Sequence, residues 1–256
     1  MAAEPVTGAQ HLSAKNKLEG SESPYMNTVG DEHTDQEAKS PGVFTRYFQV
    51  FFSPDLLFQE LRTRPDYVGA LLLGGALSAA GLVVIPSDLA LATFREALQA
   101  QGQAVPPELE NFGTVIRFAG PVAAFVLWPL GMAFFAGLVM LFFAILLGHE
   151  GTYRQYLAVV AHAQLIVATA AILLAPLRIF TEDAQLLLSV GTFATFLEPG
   201  YLLRFLSLLN LFGLWAWVLV ALGAARIGRK RSWVGGLIFV LMIPVTTAAV
   251  VALLSG

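Results

Sequence analysis

The stretch FAGPVAAFVLWPLGMAFFAGLVMLFFAILLG, which runs from Phe118 to Gly148, contains no charged residue. As a helix rising about 1.5 Å per residue, it exceeds a hydrocarbon core of roughly 30 Å but cannot supply two spans and a turn. We therefore predict one long, tilted membrane span over residues 118–147. A bend is expected near Pro121 or Pro129, because proline removes a helical hydrogen bond.

Composition supports a membrane protein as a whole. Of the 256 residues, 56% are hydrophobic and only 13% are charged, and the mean hydropathy is +0.68. The charged fraction is about half that of an ordinary soluble domain. So few charges cannot cover a soluble surface, whereas a bilayer removes that requirement.

Four further segments are apolar and long enough to cross a membrane. They cover about residues 67–85, 156–177, 205–225 and 233–254. The sequence thus predicts an all-α fold, a polytopic membrane bundle of five transmembrane helices. Residues 184–197 are also apolar but short for a span, so an interfacial or re-entrant helix is expected there. The polar residues 86–115 are expected to hold a short surface helix.

Small residues recur along one face of the first predicted span. Gly74, Ser78 and Gly81 follow each other at intervals of four and three residues, which places them on the same side of a helix. Such a stripe allows another helix to approach closely. Packing inside the bundle is expected rather than homodimerisation, and the sequence does not define an oligomeric state.

Residues 1–42 differ sharply from the rest of the chain. They carry seven acids against three lysines: Glu4, Glu19, Glu22, Asp31, Glu32, Asp35 and Glu37. A segment with so few large apolar side chains cannot offset its ordering entropy, so we expect a disordered acidic tail. It is either a solvated tail without a task or a partner-binding tail.

Residues 43–64 are predicted to form an amphipathic helix at the membrane interface. Within them, Ser53-Pro54-Asp55 has the order of a helix start, with Ser at the N-cap, Pro at the first helical position and an acid in the first turn. The following leucines and Phe58 alternate with polar residues, as in helices that lie on a bilayer. Pro65 is expected to end this helix.

The distribution of basic residues predicts the orientation. With five spans, one side holds eight cations near the membrane: Arg46, Arg62, Arg64, Arg154, Arg226, Arg229, Lys230 and Arg231. The other side holds four: Arg95, Arg117, Arg178 and Arg204. The positive-inside rule places the first side, with the N-terminus, in the cytoplasm and the C-terminus outside. A span at residues 184–197 would instead divide the basic residues between the two sides.

Three segments resemble the Yip1-domain family in their order and spacing. They are FSPDLLFQEL at Phe52–Leu61, GTYRQYLAVV at Gly151–Val160 and NLFGLWAWVLVALG at Asn210–Gly223. The resemblance covers residues 44–254, and the Yip1-like membrane domain is predicted over residues 43–255. The chain departs from the family pattern in the third span, where His162 replaces an expected aromatic residue and no proline precedes Pro176.

The resemblance implies five spans and a cytoplasmic N-terminal region. Eukaryotic members of the family work with small GTPases in vesicle traffic, whereas the bacterial branch has no assigned activity. The short tail and loops are similar to the bacterial branch, which implies the bacterial cytoplasmic (inner) membrane. In a eukaryote the resemblance would imply the ER or Golgi membrane.

His162 and Gln164 are the candidate functional residues. A histidine inside a span is costly and is a functional candidate for that reason. Together the two side chains could line a polar path, or His162 could be a neutral imidazole hydrogen-bonded across the bundle. Arg226, Arg229, Lys230 and Arg231 are candidate contacts to anionic lipid head groups, although their topological role already explains them.

Several classes of chemistry have no support in the sequence. The chain has no cysteine and lacks both a phosphate-binding glycine loop and a basic patch for nucleic acid. His149-Glu150 has no second histidine at metalloprotease spacing. No catalytic residue, metal or cofactor is predicted.

The sequence and the resemblance together favour a non-enzymatic scaffold or adaptor in membrane organisation or trafficking. Its expected partners are the lipid bilayer and a protein bound through residues 1–64. The alternative is a small-solute or lipid transporter, or a scramblase, with a polar path near His162. Transport would favour buried ionisable pairs at mid-membrane and an internal repeat, and the sequence shows neither.

Overall fold

The computed structural model describes residues 41–107, 112–228 and 234–254. Within these ranges the chain folds into helices joined by short connections, with one isolated bridge between Ser189 and Asn210. The all-α prediction is therefore confirmed for this part of the chain. Nearly all of the predicted tail, residues 1–40, lies outside the described residues, as do Arg229, Lys230 and Arg231.

We number the helices in chain order. They are α1 (Val43–Phe52), α2 (Pro54–Thr63), α3 (Val68–Val84), α4 (Ser87–Ala100), α5 (Phe112–Leu147), α6 (Tyr153–Ala163), α7 (Leu165–Leu173), α8 (Ala175–Phe180), α9 (Tyr201–Leu208), α10 (Leu211–Ile227) and α11 (Val234–Leu254).

Membrane-spanning length is found in three helical segments of the described chain. These are Arg117–Ile145, Tyr153–Phe180 and Val234–Leu254. Helices α3 and α4 add a fourth if they are counted as one broken span, although they meet at an angle of 87°. Apolar α10 is shorter, at 17 residues. By length and composition the described part of the fold thus has three or four candidate spans, and the count of five spans remains a prediction.

The ends of these helices follow from local sequence. Helix α6 begins with a capping box, in which the Thr152 side chain and Gln155 bond each other's backbone N–H. The elbow between α3 and α4 falls at Ile85-Pro86, where proline disfavours helical backbone in the preceding residue. By contrast, α5 continues through Pro121 and Pro129 as one 36-residue helix.

Helix α3 packs closely against α5 and α7 through its glycines. A Cβ atom added at Gly74 would lie 2.1 Å from the Trp128 ring of α5. One added at Gly81 would lie 2.7 Å from the Ala171 Cβ of α7. The small residues therefore serve packing within the bundle, as predicted.

Residues 184–197 correct the prediction of a re-entrant or interfacial helix. Their regular structure is limited to one 3₁₀ turn at Gly191–Phe193. The Ser189 and Thr192 side chains accept each other's backbone N–H groups at 3.3 and 3.1 Å. Such side-chain bonds compete with helical ones, and apolar composition alone does not reveal them.

The predicted fourth span, residues 205–225, also differs from the observed helices. The helix is interrupted at Leu209-Asn210, between α9 and α10. The Asn210 Oδ1 accepts hydrogen bonds from the N–H groups of Phe212 at 3.0 Å and Gly213 at 3.3 Å. This is an N-cap, so a new helix begins inside an apolar run.

Candidate functional site

The two N-terminal helices form the candidate site, and α1 has two contrasting faces. Arg46 and Val50, four residues apart, are buried against the bundle. On another side Phe44, Phe48 and Phe52 are 73%, 56% and 80% exposed. Because the three rings are also spaced by four residues, they form one ridge along the helix, which we call the Phe ridge.

Helix α2 is packed into the bundle. Leu57, Phe58 and Leu61 are completely buried, and α2 contacts α6 and α10. Gly223 of α10 makes this close approach possible, because a Cβ there would lie 2.5 Å from Val159 and 3.2 Å from Phe58. As predicted, Pro54 is at its first position and Asp55 in its first turn. The predicted single helix over residues 43–64 is wrong, because the chain is divided at Ser53 into α1 and α2.

Arg46 holds a buried ion-pair cluster, which we call the Arg46 cluster. Its Nη1 donates to Asp66 Oδ2 at 2.5 Å and its Nη2 to Glu60 Oε1 at 2.7 Å. The Arg46 side chain is 3% exposed, whereas those of Glu60 and Asp66 are 23% and 50% exposed. Two carboxylates therefore compensate one desolvated guanidinium group, and both can still reach water.

Three further polar contacts fix the helix pair. Arg226 of α10 forms an ion pair with Asp55 of α2. The Gln155 Nε2 donates to the Arg62 carbonyl at 2.6 Å. On α1, the Tyr47 hydroxyl lies 3.0 Å from the Thr169 hydroxyl of α7.

The structure places His162 near this cluster. It is 3% exposed and belongs to α6, which packs against α1 and α2. Its Nδ1 lies 2.8 Å from the Ala158 carbonyl, one turn earlier in α6. The described hydrogen bond is thus within its own helix and does not cross the bundle.

The other predicted site residues have separate positions. Gln164 is half-buried at the junction of α6 and α7, where its backbone N–H donates to the Val160 carbonyl at 2.9 Å. Arg226 pairs with Asp55, as described above. Among the described residues, no group of three or more His, Cys, Asp or Glu side chains is arranged to hold a metal ion.

Sequence reasoning missed the Arg46 cluster, because it counted Arg46 only among the cations that predict orientation. Glu60 and Asp66 lie 14 and 20 residues further along the chain, beyond the reach of helical spacing. A signal was present nonetheless. Arg46 shares a helical face with Val50, away from the Phe ridge, so an amphipathic analysis of α1 would have turned Arg46 toward the protein.

Comparison with known proteins identifies the family of this chain. The Yip1 domain matches residues 48–255, from the middle of α1 to the end of α11. The chain belongs to the Yip1 family. The "Membrane protein YknW" of Bacillus subtilis (strain 168) is 24% identical over 217 residues, which cover 83% of this chain and 91% of that protein. No solved structure matches the chain.

The Yip1 match includes the second half of α1 and all of α2, whereas Arg46 lies two residues before it. The resemblance deduced from three short segments is confirmed. The protein is therefore a Yip1-family membrane protein, with apolar helices in contact with lipid.

Proposed function

We propose that this Yip1-family protein is a non-enzymatic scaffold or adaptor in membrane organisation or trafficking. The observation that carries the proposal is the docked helix pair. The Arg46 cluster joins α1 to α2 and to Asp66, and further polar contacts tie the pair to α6, α7 and α10. A fixed helix pair forms a rigid platform at the membrane, and the acidic residues 1–42 lead directly into it. Residues 1–64 are the proposed contact region for a protein partner.

The proposed topology keeps five spans. Helices α3 and α10 have 17 residues each, about 25 Å of helix, which is at the lower limit for a span. They would complete the set formed by the three longer segments. At 87° to α3, helix α4 would lie along the membrane surface. The count of basic residues supports a cytoplasmic N-terminus and an external C-terminus in a bacterial inner membrane.

The Phe ridge supports the interfacial position proposed for α1. Its three exposed rings offer an apolar surface for the boundary between head groups and acyl chains. The opposite face of α1 is held by Arg46 and Tyr47. Lipid on one side and the bundle on the other would leave α2 to present its exposed polar residues, Gln59, Arg62 and Thr63, to a partner.

A transport path near His162 has less support. The imidazole is hydrogen-bonded within α6. Neither His162 nor Gln164 lines the cavity of about 830 Å³ between the α3–α4 elbow, α5 and α8. His162→Ala should therefore leave partner binding intact.

Site-specific photo-crosslinking in native membranes tests the proposal. A photoreactive residue at position 59 or 62 should capture a protein, and the product should disappear when residues 1–42 are deleted. A probe at Leu138, an exposed apolar position of α5, is the matched control and should capture lipid.

Two results would overturn the proposal of an adaptor. One is capture of lipid alone at all three positions. The other is solute uptake by reconstituted vesicles that His162→Ala abolishes, which would establish the transporter instead.

A further inference from the structure

A cavity of about 830 Å³ lies at the end of α3 away from α1. It is lined by the α3–α4 elbow, the first part of the apolar stretch of α5, and residues near the end of α8. Leu82, Val83 and Phe118 contribute exposed apolar surface. Arg117, Arg178 and Gln185 contribute polar groups. The cavity therefore lies where the apolar part of the bundle meets its polar connections.

Hydrogen bonds fix the walls of this cavity. The Thr93 hydroxyl of α4 accepts from the Ala184 N–H at 3.3 Å, which ties α4 to the segment after α8. The Arg178 Nε donates to the Leu186 carbonyl at 3.0 Å, which holds the base of that guanidinium group. Both Thr93 and Arg178 line the cavity, so its shape is set by bonded elements.

The cavity is positively charged. Arg117 and Arg178 line it, and no Asp or Glu does among the described residues. Neither arginine forms an ion pair within the described part of the chain. Asp183, whose Oδ1 accepts from the Gln185 N–H at 2.8 Å, forms no ion pair with Arg178. As far as the described residues go, the Arg117 guanidinium and the two terminal nitrogens of Arg178 are therefore available to an anion.

We propose that this cavity binds the head group of an anionic glycerophospholipid. Arg117 and Arg178 would contact the phosphate, since guanidinium groups match phosphate geometry. The acyl chains would lie along Leu82, Val83 and Phe118. The volume falls within the roughly 300–1,000 Å³ of small-molecule sites. A free phosphate ion would leave the apolar wall unused.

Lipid binding to the purified, delipidated full-length protein tests this proposal. Native mass spectrometry would compare phosphatidylglycerol with neutral phosphatidylcholine, and inorganic phosphate would be added as a competitor. Phosphatidylglycerol should bind more tightly than phosphatidylcholine, and equimolar phosphate should not displace it. Equal binding of both lipids, or displacement by phosphate, would overturn the proposal.

Substitutions locate the site. Arg117→Gln should weaken phosphatidylglycerol binding about five-fold, and Arg117→Gln with Arg178→Gln about 25-fold, from the surface energy of one cation each. Arg95→Gln is the matched control, because Arg95 lies on α4 but does not line the cavity. Unchanged binding in Arg117→Gln, or an equal loss in Arg95→Gln, would contradict the site.

A bulky substitution tests whether the lipid occupies the cavity, without changing the charge of its lining. Gly120 lines the cavity, and nothing lies within 4 Å of a Cβ atom built there. Gly120→Trp should therefore place an indole in the cavity from an unobstructed Cβ and weaken phosphatidylglycerol binding by a similar factor of about five. If that variant folds and binds like the unsubstituted protein, the lipid does not occupy this cavity.

Discussion

Two regions of this Yip1-family protein differ in whether their arginines form ion pairs. At the docked helix pair, Arg46 of α1 is ion-paired with Glu60 and Asp66, and Arg226 of α10 is ion-paired with Asp55. In the cavity at the far end of α3, Arg117 and Arg178 form no ion pair within the described chain. In the sequence, all four are cations beside apolar segments.

This difference in ion pairing depends on the positions of the acidic side chains. Carboxylates beside Arg46 offset the cost of burying its charge, so that the cation stabilises the fold. Without such neighbours, Arg117 and Arg178 remain available to an external anion. The comparison thus separates a structural use of arginine from a binding use.

Removing the carboxylates of the Arg46 cluster should have the largest effect. Glu60→Gln with Asp66→Asn leaves the buried Arg46 without a counter-charge, which should lower the free energy of unfolding by about 3–5 kcal/mol. Thermal unfolding of the protein in detergent measures the loss. Adding Arg46→Met removes the uncompensated charge and should restore part of the stability. If the triple variant is less stable than the double one, the buried charge is not the cause.

Overpacking of α3, the helix that connects the two regions, should cause the next largest loss of stability. Gly74→Val places side-chain atoms against the Trp128 ring, and overpacking of this kind costs about 1–3 kcal/mol. Gly131 of α5 has nothing within 4 Å of a built Cβ, so Gly131→Val is the matched control. Equal melting temperatures for the two variants would contradict the close contact between α3 and α5.

The second ion pair of the docked helices should contribute less than the first. Arg226 and Asp55 are both partly exposed, and exposed pairs are worth about 0.2–1 kcal/mol. A double-mutant cycle with Arg226→Gln and Asp55→Asn should give a coupling energy in that range, reduced by salt. A coupling energy as large as the loss of stability expected for the Arg46 cluster would contradict the distinction between buried and exposed ion pairs.

The smallest effect on stability is expected in the cavity. Arg117 is exposed and has no ion-pair partner among the described residues, so Arg117→Gln should change the free energy of unfolding by about 0.5 kcal/mol or less. Unfolding must be measured in neutral detergent, without anionic lipid. Destabilisation comparable to that of the Arg46 cluster would show that Arg117 is structural.

The sequence predicted those features that depend on local pattern. The charge-free stretch from Phe118 specifies α5 through its length, and Ser53-Pro54-Asp55 specifies the start of α2. The glycine stripe of α3 predicted close packing. Each of these signals lies within a few helical turns of the chain.

Features that depend on distant partners could not be predicted in the same way. The Arg46 cluster joins residues 14 and 20 positions apart, and the cavity joins three separate segments, residues 82–94, 117–120 and 178–185. Residues 184–197 are shaped by side-chain bonds of Ser189 and Thr192. The break before α10 is an intermediate case, because Asn210 in an apolar run is itself a capping signal.

Docking of α1 onto the bundle is the central claim, and a disulfide tests it most directly. The Cβ of Val43 lies 3.4 Å from a Cβ built at Gly69, close to the roughly 3.8 Å typical of disulfides. Because the chain has no cysteine, Val43→Cys with Gly69→Cys would introduce the only thiols. Phe44→Cys with Gly69→Cys is the control, since Phe44 lies on the exposed Phe ridge.

The measurement is labelling by a polyethylene glycol maleimide after mild oxidation in native membranes. Docking predicts that the Val43→Cys, Gly69→Cys protein resists labelling until it is reduced, whereas the control pair is labelled throughout. Equal labelling of both pairs would mean that α1 is not held against α3, and the rigid platform proposed for partner binding would be lost.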